Sequence, residues 1–229
     1  MSKKIAFVNG SPRSNKESCS YKMIQYFTDH LQDHYDTFIE GNALKLCRPN
    51  QDKALCAHYQ EVLTSDTLVI VSPLYVDNVP SSLLDYLHRF ELFTKAHPNL
   101  VTHPLKVYAF INCGFLGGYQ NHIALEIMEH FATRMHFIWS GGLGVGSGAM
   151  LNGTFEHVPR EAKMQHPIFA GLDAFVEAIQ KGTSIDTPHN QLLVTQNFPF
   201  SLFAFMLNMS WLSQSGWKFR KIYAKPYLK

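Results

Sequence analysis

The feature that most limits the fold of this chain is the recurrence of short apolar runs between stretches with helical periodicity. Residues 5–8, 68–71 and 107–111 are such runs. Their length and uniform apolarity are typical of strands that are buried on both faces. Weaker strand signals lie at residues 36–40 and 136–139. Five strands with helices between them predict an α/β fold with a parallel sheet and right-handed crossovers.

Amphipathic stretches fill the intervals between these apolar runs. In one of them Leu83, Leu84 and Leu87 lie on one stripe, and Pro80 suits the first turn of a helix. Residues 41–53 lack such a pattern and are predicted to form a loop. Helices are predicted over residues 18–33, 54–64, 79–94, 121–133 and 161–181.

Composition and charge limit the class of protein. The net charge is only +2 and no dense Lys/Arg patch precedes the C-terminal segment, so nucleic acid is not expected as a partner. The four cysteines have no disulfide-framework spacing. The apolar run behind the basic start is too short for a signal peptide, and no run reaches the roughly 18 residues of a membrane span. We therefore expect a cytoplasmic protein with reduced cysteines.

The loop after the first strand, residues 10–20, is rich in hydroxyl and basic side chains. It contains four serines, an arginine and a lysine, and it leads directly into a predicted helix. Ligands of parallel sheets bind beyond the carboxyl ends of the strands. A hydroxyl-rich loop at a helix N-terminus offers backbone N–H groups and the helix dipole to an anion. This loop therefore predicts a phosphate site.

Two further loops follow the third and fourth predicted strands. Residues 72–80 begin with Ser-Pro-Leu-Tyr, and the proline stiffens the turn. Residues 112–119 contain three glycines, which allow the backbone to approach a flat ligand closely. A phosphate loop beside two loops that suit a planar ring predicts flavin mononucleotide (FMN) as a cofactor.

Two of these motifs resemble a known family. The sequence Gly10-Ser11-Pro12-Arg13, with Ser18 and Ser20 after it, is similar to the phosphate loop of the NAD(P)H-dependent FMN reductases of the flavodoxin-like superfamily. Residues 72–75, with Pro80, Leu84, Tyr86 and Arg89, resemble that family's second motif. The likeness covers roughly residues 3–150. It implies a three-layer flavodoxin-like fold with five parallel strands in the order 2-1-3-4-5, bound FMN, NADPH or NADH as cosubstrate, and a homodimer.

The resemblance also assigns cofactor-binding roles to residues of this chain. It implies no catalytic side chain, because the flavin carries the chemistry. The residues that the family motifs place at the phosphate are Ser11, Arg13, Ser14, Ser18, Cys19 and Ser20. The residues placed at the isoalloxazine are Pro73, Leu74, Tyr75, Val76, Asn112, Cys113, Gly114, Phe115 and Gly118.

Metal sites are not expected. Iron–sulfur flavoproteins, which are relatives of this family, carry four clustered cysteines between the second and third strands, but here that interval holds only Cys47 and Cys56. Two thiolates cannot supply the four ligands of an ordinary cluster. A glycine-rich segment at residues 144–149 matches a dinucleotide-binding pattern, but no clear helix with an acidic partner follows it, and a loop or interface role is favoured.

The character of the chain changes after residue 182. Residues 1–182 are expected to form the FMN-binding domain, and residues 183–229 an aromatic and basic C-terminal extension. One interpretation docks this extension on the same domain or on a dimer partner. The alternative is contact of residues 198–229 with a membrane surface, where aromatic and basic side chains are favoured.

The function expected from these features is electron transfer. NAD(P)H would reduce bound FMN, which would pass electrons to a small acceptor such as a flavin, a quinone, or a nitro or azo compound. One alternative is a flavodoxin-type electron carrier with no nicotinamide step. Another is a membrane-peripheral module that has lost the flavin. The sequence does not choose among the acceptors, nor between NADH and NADPH.

Overall fold

The computed structural model describes residues 3–13, 18–148 and 157–214. In these residues six strands form one sheet in the order β2-β1-β3-β4-β5-β6, and every neighbouring pair is parallel. The strands are β1 (Lys4–Asn9), β2 (Thr37–Asn42), β3 (Thr67–Pro73), β4 (Lys106–Asn112), β5 (Ile138–Val145) and β6 (Gln191–Val194).

Seven α-helices lie in the described residues. They are α1 (Cys19–Leu31), α2 (Ala43–Leu46), α3 (Asp52–Leu63), α4 (Ser81–Ala96), α5 (His122–Arg134), α6 (His166–Lys181) and α7 (Phe200–Gln214). Three short 3₁₀ turns accompany them, at Pro98–Leu100, Gly118–Asn121 and Pro188–Asn190. The α/β class and the parallel sheet predicted from the sequence are confirmed.

The central strands are apolar throughout because both faces of the sheet are covered. In β1, Ala6 and Val8 belong to the core under α3, α4 and α5, whereas Ile5 and Phe7 belong to the core under α1 and α6. Strands β3 and β4 divide their side chains in the same way. Successive strand residues point to opposite faces, so a strand between two helical layers needs apolar residues at every position.

The predicted number of strands, five, was wrong, because β6 extends the sheet to six strands. This strand has only four residues, and Gln191 to Leu193 are not fully buried. It pairs with β5 from Gly142 to Val145. A run so short and so exposed carries too weak a periodic signal to be read from sequence.

Strand β5 runs six residues further than the predicted end at residue 139. Its second half is rich in glycine, which is unfavourable in strands by propensity alone. Here the glycines are required by packing. A Cβ on Gly142 would overlap the Leu125 side chain, and one on Gly144 would lie 2.8 Å from Asn121 Cβ. Residues 41–53, expected to be a loop, contain the one-turn helix α2 and the start of α3.

The chain divides into two compact units, Met1–Gln196 and Asn197–Lys229. The first unit contains the complete sheet, including β6. The second contains α7. None of the described helices is both long enough and apolar enough to cross a membrane.

Candidate functional site

A cavity of about 350 Å³ lies at the carboxyl edge of the sheet. Its walls come from the loops that follow β1, β3, β4 and β5 and from the first turn of α1. This size falls within the range of about 300–1,000 Å³ that is common for small-ligand sites. The lining residues are Ser11, Arg13, Ser18, Cys19, Ser20, Pro73, Leu74, Tyr75, Asn112, Gly114 and Gly148.

The loop after β1 is fixed by its own hydrogen bonds. Asn9 Oδ1 accepts the Ser11 amide at 2.9 Å, and Ser11 Oγ accepts the Arg13 amide at 3.2 Å. Gly10 donates its N–H to Val71 O at 2.8 Å, which ties the loop to β3. A Cβ on Gly10 would lie 2.6 Å from the Leu83 side chain, so only glycine fits there without displacement. The chain is thereby held close to the sheet edge as it enters the site.

The N-terminus of α1 points its first turn at this cavity. Ser18 caps the helix, since its Oγ accepts the Tyr21 amide at 3.2 Å. The hydroxyl-bearing Ser18 and Ser20 are both buried, and the Cys19 side chain is partly buried. The first-turn amides and the helix dipole favour a negative charge at this end. Exposed Arg13 adds a positive charge to the same wall.

The loop after β3 forms a tight hairpin beside the cavity. Tyr75 and Asn78 exchange backbone hydrogen bonds of 2.6 and 3.1 Å, and Leu74 donates to Asn112 O at 2.8 Å. Val76 and Asp77 at the tip have φ angles of 51° and 56°. A left-handed conformation is unfavourable for a β-branched residue. Val76 is 97% exposed and its side chain is not on the cavity wall.

The loop after β4 is organised around the Cys113 thiol. Its Sγ lies 3.6 Å from Phe115 O and 3.5 Å from Gly117 O, and Asn121 Nδ2 donates to it at 3.6 Å. The thiol therefore orders the loop from inside. It leaves Gly114 exposed at the cavity, with no atom within 4 Å of a Cβ built there.

The buried side-chain amide of Asn112 lies against Gly148, which follows β5. Asn112 is buried and its Oδ1 has no hydrogen-bond partner among the described residues. Gly148 packs directly on the amide, because a Cβ on Gly148 would overlap Asn112 Nδ2. An unsatisfied buried acceptor costs about 1–3 kcal/mol, so this oxygen is suited to a donor from a bound ligand.

The two thiols at the site are not nucleophiles. Burial raises the pKa of Cys19 to about 12, against a smaller lowering by Lys22. Burial also raises the pKa of Cys113, and its hydrogen bonds only partly oppose this. Both thiols are therefore protonated at neutral pH, and a thiol is a poor nucleophile compared with a thiolate. Within the described ranges, no group of three or more His, Cys, Asp or Glu side chains could hold a metal ion.

The predicted site residues fall into three groups. Ten lie on the cavity wall, four lie in the same loops without lining the cavity, and one is outside the described residues. The wall group is Ser11, Arg13, Ser18, Cys19, Ser20, Pro73, Leu74, Tyr75, Asn112 and Gly114. The loop group is Val76, Cys113, Phe115 and Gly118, and the position outside the described ranges is Ser14.

Two residues of the site were not predicted. Gly148 lines the cavity, but ending the fifth strand at residue 139 concealed that residues 146–148 follow β5 at the same edge of the sheet. Asn9 shapes the first loop through its side chain. A strand-terminal asparagine before glycine is a turn signal, and it could have been recognised as such.

The chain matches the family model of NADPH-dependent FMN reductases over residues 3–149. This chain belongs to that family. It is a flavin-dependent oxidoreductase. The matched range includes the loops after β1, β3 and β4 that line the cavity. No curated protein sequence matches the chain.

Solved structures with the same fold include reductases of low sequence identity. The apo form of the NADH:FMN oxidoreductase EMOB is 13% identical, with 88% of this chain and 99% of that chain covered and a TM-score of 0.58. An azoreductase from Bacillus anthracis str. Sterne is also 13% identical, with 78% and 99% covered and a TM-score of 0.51. At such identity the likeness concerns the fold, which is flavodoxin-like.

Proposed function

We propose that this oxidoreductase binds FMN in the cavity at the carboxyl edge of the sheet and passes electrons from NADPH or NADH to a small aromatic acceptor. The observation that carries the proposal is the make-up of one cavity. Its α1 end presents a helix N-terminus with hydroxyl and guanidinium groups, and its other end presents Tyr75 and the open Gly114. A site for an anion next to a flat, partly apolar site suits FMN, because FMN carries a phosphate at one end and a planar ring at the other.

The phosphate end would be held by the first loop and the first turn of α1. Hydroxyl groups of Ser11, Ser18 and Ser20 would donate to phosphate oxygens, together with the first-turn amides. The Cys19 thiol, protonated because its pKa is raised to about 12, adds no negative charge there. Arg13 would supply a charge-assisted contact from the exposed side.

The ring end would be held by Pro73, Leu74, Tyr75, Gly114 and Asn112. The unpartnered Asn112 Oδ1 would accept a hydrogen bond from a ring N–H, which supports the fit of a flavin. Bound FMN supplies hydride acceptance and onward electron transfer. The backbone of residues 112–118 would stabilise negative charge on the reduced ring electrostatically.

Exposed aromatic side chains occur on the cavity wall and in the segment that follows β4. Tyr75 lies on the wall, and Phe115 and Tyr119 follow in the neighbouring loop, with 59% and 64% of their surface exposed. Exposed aromatic rings such as these would stack against flat molecules such as nicotinamide, a free flavin, a quinone, or a nitro or azo compound. This supports alternation of cosubstrate and acceptor at one face of the flavin.

Two further parts of the proposal concern assembly and location. A homodimer is supported by the exposed apolar side chains Leu84 and Leu92 on α4 and Ile123 on α5, which a second copy could cover. A reducing cytoplasmic location is supported by the four unpaired cysteines. Sedimentation velocity of the purified protein tests the first, and the second requires imaging of the protein in its native cell.

The reaction is tested by steady-state turnover with FMN-loaded protein. NADPH and NADH are compared as donors, and a flavin, a quinone, a nitro compound and an azo compound as acceptors. A Tyr75→Ala variant is expected to raise the KM for the preferred acceptor, whereas a Val76→Ala control outside the cavity wall leaves it unchanged. Bound flavin without any oxidation of NADPH or NADH would instead indicate an electron carrier and contradict the proposal.

A further inference from the structure

The loop after β4 turns its backbone carbonyl groups into the protein. Cys113 O accepts the Gly148 amide at 2.7 Å, and Phe115 O accepts the Ser147 amide at 2.5 Å. These two bonds tie the loop after β4 to the loop after β5. The Cys113 thiol donates to Gly117 O at 3.5 Å. Three carbonyl groups of one short loop are therefore occupied inside the protein.

The amide groups of the same loop are not occupied in this way. In the described ranges, no acceptor pairs with the N–H of Gly114, Phe115 or Leu116. A trans peptide group points its N–H away from its C=O, so the Gly114 N–H is directed away from the Gly148 amide that holds Cys113 O. Gly114 lies on the cavity wall with open space beside it. An unpaired amide there is suited to an acceptor or a negative charge on a ligand.

The side chain of Asn121 holds this loop against the end of β5. It is fully buried, and its Nδ2 donates to Gly118 O at 2.9 Å and to Val145 O at 3.2 Å. The same nitrogen lies 3.6 Å from Cys113 Sγ. A reversed amide would set Oδ1 against two carbonyl oxygens, so these contacts determine the orientation of the side chain. One side chain thereby joins both ends of the loop to β5.

The position of Asn121 is also fixed by packing. A Cβ on Gly144 in β5 would lie 2.8 Å from Asn121 Cβ, so the strand approaches this side chain closely. Asn121 does not line the cavity. It can therefore act on a bound ligand only through the loop that it holds.

We infer that Asn121 is a positioning residue for the flavin, because it holds the loop after β4 with its amide groups available to the reduced ring. The inference rests on the proposed binding of FMN in the cavity. Hydride transfer from the nicotinamide brings two electrons and one proton, so it adds one negative charge to the ring. Fixed N–H dipoles stabilise this charge more than they stabilise the neutral ring. Loss of the Asn121 amide should therefore weaken the binding of reduced FMN more than that of oxidised FMN.

The test is the midpoint potential of FMN bound to the full chain, measured by anaerobic reductive titration against a reference dye. Asn121→Leu keeps a side chain of similar shape and removes both N–H donors. We expect reduced FMN to bind roughly tenfold more weakly relative to oxidised FMN, which lowers the two-electron potential by about 30 mV. A potential equal to that of the wild type would overturn the inference.

The matched control is Tyr108→Phe, which also removes a buried donor. The Tyr108 hydroxyl donates to Ala178 O at 3.1 Å and to Thr183 O at 2.8 Å, and none of these residues lines the cavity. Urea denaturation should show a loss of stability in both variants, but only Asn121→Leu should change the potential. An equal change of potential in both would indicate a general effect of lost stability and overturn the inference.

A second pair of variants makes the result independent of how well Asn121→Leu folds. Cys113→Ala removes the thiol that contacts Phe115 O and Gly117 O, whereas Cys113→Ser keeps a donor and an acceptor at that position. Cys113→Ala should lower the potential, and Cys113→Ser should stay close to the wild type. An unchanged potential in Cys113→Ala would mean that the order of the loop does not act on the flavin, which overturns the inference.

The same measurements separate this inference from the proposed function. A wild-type chain that binds no FMN would overturn the proposed function and the inference with it. Bound FMN that a nicotinamide reduces, with the same potential in Asn121→Leu as in the wild type, would overturn the inference alone.

Discussion

At the scale of single residues, two glycines of one loop have different reasons to be glycine. Gly114 borders open space at the cavity, whereas a Cβ on Gly118 would overlap the backbone carbonyl of Val194. The sequence predicted that the loop needs glycine but not which position serves a ligand. That distinction depends on the partner strand β6, which no local pattern revealed.

Substitutions at these glycines should separate binding from folding. Gly114→Val adds a side chain beside the cavity, and we expect FMN affinity to fall at least roughly tenfold with little change in stability. Gly118→Ala is the matched control within the loop. Because it forces backbone apart, it should lower the free energy of unfolding by about 1–3 kcal/mol. Flavin fluorescence titration and urea denaturation measure the two effects. Equal flavin affinity in Gly114→Val and wild type would contradict the proposed position of the ring.

Arg13 tests the phosphate end of the site. Arg13→Gln removes the positive charge from an exposed side chain and should disturb the fold little. We expect FMN affinity to fall roughly tenfold, which corresponds to about 1.4 kcal/mol, and riboflavin affinity to stay the same. Both ligands are titrated into apoprotein. A parallel loss for riboflavin would mean that Arg13 does not act on the phosphate.

At the scale of elements, the strands and helices with strong local signals were predictable and those defined by contacts were not. Strands β1, β3 and β4 follow from apolar runs buried on both faces. The second half of β5 could not be predicted in this way, because glycine is required there by the close packing of Leu125 and Asn121 against the strand. The loops after β1, β3 and β4 could be located because they follow those clear strands. Gly148 could not, because it follows the end of β5.

The packing of α3 on the sheet depends on a neutral histidine. His58 is buried against the backbone of Gly41 in β2 and the ring of Tyr86 in α4, and its Nε2 has no partner among the described residues. Burial lowers the pKa of His58 from 6.5 to about 4. Protonation in the folded state is therefore unfavourable.

This histidine should make stability depend on pH in a defined window. Between about pH 6.5 and 4 the unfolded chain takes up the proton and the folded chain does not. The free energy of unfolding should therefore fall as the pH falls through that window, by up to about 3 kcal/mol, and the contribution of His58 should be constant above it. His58→Gln keeps a neutral polar side chain and removes the titration. Urea denaturation of both proteins at several pH values measures the difference, and parallel curves would refute this role.

At the scale of the whole molecule, the first compact unit ends at Gln196, beyond β6. Strand β6 pairs with β5 and also supports the site, since Gly146 donates to Val194 O at 3.0 Å and Gly118 donates to Thr195 Oγ1 at 3.0 Å. These bonds join the loops after β4 and β5 to the sixth strand. The role of residues 183–229 as an extension stays a prediction, and β6 lies within that range.

Chain truncation tests how far the flavin-binding unit extends. A chain that ends at Gln196 keeps every strand of the sheet and should unfold cooperatively and bind FMN as the full chain does. A chain that ends at Asn190 lacks β6, and should be less stable and bind FMN more weakly, because Gly118 and Gly146 lose their partners. Thermal unfolding and flavin titration compare the two. Equal behaviour would show that β6 is dispensable for the site.

The measurement that tests the central claim most directly is the visible absorption spectrum of the purified protein under anaerobic conditions, before and after addition of NADPH and then NADH. The account predicts flavin bands that are present with bound FMN and that bleach on addition of at least one nicotinamide. Arg13→Gln protein should require a higher FMN concentration to show the same bands. A protein that stays colourless with added FMN would contradict the cofactor site, and bands that neither nicotinamide bleaches would contradict the reductase function.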